Sequence, residues 1–127
     1  MNTEQQFVYN FHKFFNVHIE PHPKVPPTEV VELRIRLMLG ELNELIDALR
    51  DKNLIEIADG IADLLYVAYG TAVSCGLNMQ YILDEVHTSN MTKGGRRKDG
   101  KILKPITFRP PDLNGIFRLG LHRIKEK

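Results

Sequence analysis

The chain has 127 residues, 43% of them hydrophobic and 26% charged, which is the composition of one folded domain and excludes a disordered segment. Its single cysteine, Cys75, rules out an intrachain disulfide and reads as a small core residue. The net charge of +1 conceals an asymmetry: residues 1–92 carry 6 Lys and Arg against 13 Asp and Glu, whereas residues 93–127 carry 11 against 3.

Residues 3–16 place Phe7, Phe11, Phe14 and Phe15 at helical spacing and predict a first amphipathic helix. Residues 17–27 hold four prolines and predict an extended connector. Thr28 is suited to cap a second helix over about 29–51, with Leu33, Leu37, Leu42, Leu45 and Leu49 on its apolar face. After the short polar break Asp51-Lys52-Asn53 a third helix is expected to run to Gly76, a C-terminal stop. A break this short favours antiparallel neighbours. Asn78 is suited to cap a fourth helix ending near Met91. Residues 92–111, rich in Gly, Pro and basic side chains, predict a loop or short hairpin, and a last helical turn is expected from Pro111 and Asp112.

The expected fold is all-α: one domain over 1–127, with a four-helix core over about 3–92 and a basic loop and tail over 93–127. The third helix is apolar nearly all round and needs cover on most sides, so a homodimer or homotetramer is expected to bury it. The run from Leu54 to Leu77 is long enough to span a membrane, but its three acids, with Gly60 and Gly70, argue against that. The N-terminus, MNTEQQFVYN, lacks a basic region followed by an apolar run, so a cytoplasmic protein is expected.

Those three acids carry the most information. Glu56, Asp59 and Asp63 fall within roughly 60° of one another on the third helix, with no basic residue in the segment. Buried carboxylates of this kind are normally paired or bound to a cation. On the second helix Glu41 and Glu44 share a face at i and i+3. If the two helices run antiparallel around the short break, residue 44 is level with 59–60 and Glu41 with Asp63. Four or five carboxylates would then converge at one depth and repel unless a cation neutralised them. Hard oxygen donors suit Mg²⁺, with Mn²⁺ as an alternative, and the scattered histidines offer no zinc set. Mg²⁺ held by carboxylates keeps positions open for substrate phosphates.

Cations for such phosphates follow in sequence. Asn90 and Lys93 close the fourth helix, and Arg96, Arg97, Lys98, Lys101 and Lys104 crowd the loop after it. Tyr66, one turn beyond Asp63, is placed to touch a base or a phosphate. The basic tail has only Phe108 and Phe117 for stacking and carries no known DNA-binding motif, so a nucleic-acid partner is not expected.

With these residues in view, the chain resembles the all-α nucleoside triphosphate pyrophosphohydrolases, the MazG-like superfamily that includes phosphoribosyl-ATP pyrophosphohydrolase. The resemblance covers roughly residues 29–112. It rests on an E-x-x-E pair, Glu41-Leu42-Asn43-Glu44; an E-x-x-D pair, Glu56-Ile57-Ala58-Asp59, followed by Asp63; and the phrases ADLLYVAYG and EVHTSNMTK…DGKILKP. It implies Mg²⁺-dependent cleavage of a nucleoside triphosphate between the α- and β-phosphates, releasing a monophosphate and pyrophosphate. Glu41, Glu44, Asp59 and Asp63 would be the metal ligands and Glu56 the candidate general base. Lys93, Arg96 and Arg97 would neutralise the leaving pyrophosphate, with Asn90 as a polar positioner. Tyr66, Lys101 and Lys104 complete the expected substrate contacts. Two positions depart from the pattern: Gly40 and Gly60 stand where relatives often carry glutamates. They motivate a second reading, a nucleotide-binding relative without turnover.

Overall fold

A computed structural model describes residues 1–124; the last three residues of the predicted basic tail lie outside the described residues. The helices are α1 (Thr3–Phe14), α2 (Thr28–Arg50), α3 (Leu54–Ser74), α4 (Met79–Asn90) and α5 (Leu113–Arg118). The expected all-α class holds: the only β pairing among the described residues is two isolated bridges, Leu77 with Arg123 and Arg96 with Ile102. None of these helices is long and apolar enough to cross a membrane. The chain falls into two compact units, one containing α1–α3 and Arg123, the other running from Met79 to His122.

In the first unit, α2 and α3 form an antiparallel hairpin. Lys52 takes a left-handed conformation (φ 56°) that reverses the chain, and the Asn53 side chain caps α3 by accepting from Glu56 N at 3.2 Å. The register is fixed at both ends. Arg34 donates to Val67 O (2.9 Å) and Thr71 Oγ1 (3.3 Å), and Gly60 packs against Leu45. Leu45 thus takes the place beside Gly60 that equal distances from the turn gave to residue 44.

The Pro-rich connector crosses the end of α3. Glu20 N donates to Val73 O (3.3 Å) and Lys24 N to Cys75 O (2.9 Å). Gly76 stops α3 as expected, with φ +70°. A Cβ there would also stand 2.6 Å from the His22 carbonyl oxygen, so both conformation and space demand glycine. At the start of α2 the predicted cap moves by one residue. Pro27 occupies the cap position, and its carbonyl accepts from Val30 N and Val31 N, so the Thr28 hydroxyl is not needed.

α1 departs from expectation in the face it buries. Its N-cap is Asn2, whose Oδ1 accepts from Gln5 N at 2.8 Å. The buried stripe is Gln5, Val8 and His12, whereas Phe7, Phe11, Phe14 and Phe15 are exposed, Phe14 by 82%. Each buried polar group on that stripe has a partner: Gln5 Nε2 donates to Leu77 O at 2.6 Å, and His12 Nδ1 is 3.1 Å from His18 O. Hydrophobicity alone pointed to the other face. Leu33, Leu37, Leu42 and Leu49 of α2 are likewise exposed, as are Leu54, Ile55, Ile61 and Leu65 of α3. The apolar cover that these residues were expected to receive is therefore not supplied within the unit itself.

In the second unit, the segment after α4 closes as a short hairpin. Gly94 N donates to Leu103 O (3.0 Å), Leu103 N to Gly95 O (3.1 Å) and Arg97 N to Lys101 O (2.8 Å). Gly100, at φ +90°, makes the turn. Asp112 caps α5 by accepting from Gly115 N at 2.9 Å.

Candidate metal centre

The α2–α3 register brings Glu41, Glu44 and Asp63 together: one carboxylate oxygen from each lies within 4.8 Å of the others. That is close to the separation of two oxygens on opposite sides of an ion with bonds of about 2.1 Å. Glu41 and Asp63 are half-buried and Glu44 is exposed, so the group is recessed on one side and open on the other. The Oε2 atom of Glu41 is fully buried with no hydrogen-bond partner. A buried acceptor left unpaired costs about 1–3 kcal/mol, more when charged, and a divalent cation would supply what it lacks. The two ion pairs among the described residues, His18–Glu20 and Arg97–Asp99, involve none of these acids.

The electrostatics agree with the geometry. Burial holds the Glu41 carboxyl above its ordinary value, Glu44, Asp63 and Asp59 add repulsion, and Glu44 further favours the protonated form, which alone can hydrogen-bond to it; while both are ionised the two only repel. Burial does the same to Asp63, with Asp59 and Glu44 reinforcing it. Asp59 therefore acts on both inner carboxylates through space, although it lies outside the group of three that could share an ion.

A cleft of about 340 Å³ opens beside the group, lined by Glu44, Asp47, Glu56, Asp59, Gly60 and Asp63, with Ala48 as floor. Glu56 is exposed, one turn closer to the Asn53 cap than Asp59. Asp47 is the residue that sequence reading passed over. The signal was present, since Glu41, Glu44 and Asp47 repeat at i+3 along α2.

Gly60 and Gly40 differ. A Cβ on Gly60 would stand 3.2 Å from Leu45 Cα, so glycine there lets α2 and α3 approach closely. A Cβ on Gly40 would meet nothing within 4 Å.

Tyr66 lies one turn beyond Asp63, and its ring meets Phe11 of α1 edge-on, at 5.5 Å between centroids and 89° between planes. The remaining sequence-predicted residues belong to the second unit. Asn90 is exposed at the end of α4, and Lys93 is half-buried just after it. Arg96, Arg97 and Lys101 are exposed on the hairpin. Arg97 is tied to Asp99 (Nε to Oδ1, 3.0 Å), which leaves Arg96 and Lys101 as cations with no ion pair among the described residues. Lys104 Nζ sits over the Phe108 ring, 5.3 Å from its centroid.

Residues 8–90 match the profile of the phosphoribosyl-ATP pyrophosphohydrolase family. The chain belongs to that family. The match takes in all of α2, α3 and α4 and most of α1, and so every carboxylate of the candidate centre. This is a family of pyrophosphohydrolase-type hydrolases. The chain is also similar to Uncharacterized protein L479 of Acanthamoeba polyphaga mimivirus, at 42% identity over 53 residues. That alignment covers 42% of this chain and 21% of the relative, so the chain spans about a fifth of the length of that protein.

Proposed function

We propose that this protein is a Mg²⁺-dependent nucleoside triphosphate pyrophosphohydrolase, cleaving between the α- and β-phosphates to give a nucleoside monophosphate and pyrophosphate. The observation that carries this reading is the convergence of Glu41, Glu44 and Asp63, together with a buried Glu41 oxygen that lacks a hydrogen-bond partner. Hard carboxylate oxygens with an open side fit Mg²⁺, and also Mn²⁺. When bound, the ion withdraws charge from phosphate oxygens.

The chain's own residues supply the rest. Glu41, Glu44 and Asp63 would hold the ion, with Asp59 as the next ligand. Glu56, exposed and lining the cleft, would take the proton from an attacking water. Lys93, Arg96, Arg97, Lys101 and Lys104 are the cations for the triphosphate, with Asn90 as a hydrogen-bonding positioner. Arg97 must exchange Asp99 for a phosphate to take part, so Arg96 and Lys101 are the stronger candidates. The assembly is a homodimer or homotetramer that covers the exposed apolar faces of α2 and α3. The role is housekeeping of the nucleotide pool in the cytoplasm.

The test is pyrophosphate release against the common NTPs, dNTPs and phosphoribosyl-ATP, with and without Mg²⁺ or Mn²⁺. Glu44→Ala and Asp63→Ala should each abolish release while helical circular dichroism is retained. Full activity in both would end the proposal. A second reading, nucleotide binding without turnover, draws support from Gly60, where an added side chain meets Leu45 Cα and cannot serve as a ligand without a shift of the helices. Saturable calorimetric binding with no release across the panel would favour it.

A further inference from the structure

The acid stripe of α3 runs into an aromatic corner. Counted at 100° per residue, Glu56, Asp59, Asp63 and Tyr66 fall within about 80° of one another, and Tyr66 is about 4.5 Å beyond Asp63 along the axis. Phe11 of α1 stands perpendicular to the Tyr66 ring, with centroids 5.5 Å apart. Phe15 extends the corner, 4.7 Å from Phe11. The rings are not sealed inside the unit: Phe11 is 41% exposed and Tyr66 39%. Two rings at right angles offer a planar guest one face to lie on and one edge to abut.

We propose that Phe11, with Tyr66, forms the wall that receives the planar heteroaromatic base of the substrate, so that this site prefers triphosphates carrying a base over base-free polyphosphates. This rests on the proposed phosphate chemistry and extends it to a specificity-determining residue on α1. The occupant follows from continuity. The corner prolongs the stripe that would hold the phosphates, and a base joined to those phosphates reaches the next turn of the same helix face. Stacking is sequence-tolerant because every base has a π-face, so the corner selects for a base without choosing among bases.

The test is calorimetric binding to the full chain, in Mg²⁺, of α,β-methylene ATP, α,β-methylene dUTP and inorganic tripolyphosphate, using wild type, Phe11→Leu and Phe11→Tyr. Wild type should bind both nucleotides more tightly than tripolyphosphate. Phe11→Leu should weaken both nucleotides about tenfold, the loss expected for one base–aromatic stack, and leave tripolyphosphate unchanged. Phe11→Tyr, which keeps a ring, should bind like wild type and so separates stacking from a folding defect. The inference is overturned by equal loss for all three ligands, by no loss, or by a Phe11→Leu change in sedimentation in place of selectivity, which would make the corner an interface between copies. If wild type binds tripolyphosphate but gains nothing from a base, the aromatic wall fails and the phosphate site stands. If wild type binds none of the three, the proposed function fails and the wall falls with it.

Discussion

Gly60 of α3 rests on Leu45 of α2, so closely that a Cβ on Gly60 would lie 3.2 Å from Leu45 Cα. The contact sets the depth at which the acids of the two helices meet. It also yields a contrast with Gly40, whose missing Cβ would face open space. Glycine inside a helix costs about 0.8–1.0 kcal/mol relative to alanine. Gly40→Ala should therefore raise unfolding free energy by about 0.5–1 kcal/mol. Gly60→Ala gains the same propensity but presses on backbone, where overpacking costs about 1–3 kcal/mol. It should come out destabilised by about 1 kcal/mol. Urea unfolding of the two variants measures both signs, and a stabilised Gly60→Ala would contradict the close crossing.

Divalent ions should stabilise the fold through the carboxylates. Burial and mutual repulsion raise Glu41 and Asp63 above their ordinary values. A raised carboxyl contributes stability that is complete below its unfolded value and is lost as pH rises through its folded value. At neutral pH the metal-free centre is therefore under repulsion. Asp63→Asn should melt at or above the wild-type temperature without metal. Millimolar Mg²⁺ should raise the wild-type midpoint and leave the variant where it was. Thermal scans with and without EDTA decide the matter.

The fold should weaken on mild acidification because of His12. This imidazole is 2% exposed, and burial lowers its pKa below the ordinary value; the hydrogen bond to His18 O opposes that, and Arg34 and His18 add to it. A depressed histidine contributes stability that is present above the unfolded value and lost as pH falls through the folded one. Its Nε2 and the buried Arg34 guanidinium both crowd Gly70, which has no Cβ to obstruct them. Unfolding free energy should thus drop from pH 7 to pH 5, and the drop should shrink in His12→Gln. Gly70→Ala should cost about 1–3 kcal/mol at any pH, since its methyl group would displace Arg34 Nη2 from Val67 O.

The exposed apolar residues of α2 and α3 should be covered by a second copy. Ile55 is 83% exposed and Leu65 55%. Sedimentation at micromolar concentration should give a dimer or tetramer, and Leu65→Lys should shift it toward monomer. A wild-type monomer at that concentration would leave these faces unexplained.

The meeting of Glu41 and Glu44 with Asp63 was legible in the sequence, because helical period and a short turn favour one antiparallel pairing; Asp59, expected as a ligand beside them, lies outside that group. Other features were hidden. Asp47 continues the i+3 spacing of Glu41 and Glu44, but only the cleft shows that it shares their surroundings. Gly60 appeared as a lost glutamate, whereas it is a helix crossing.

The order of helices, the acid stripe and the stop at Gly76 follow from local rules of period and backbone conformation, and the sequence alone determines them. Tertiary structure decided which face of α1 turns inward. Gln5, Val8 and His12 could be buried because each polar group found a partner across the fold, at Leu77 O and His18 O. No local pattern records such a partner. The phenylalanines were left outside, and Phe11 was brought edge-on against Tyr66, a meeting that depends on how α1 docks onto α3.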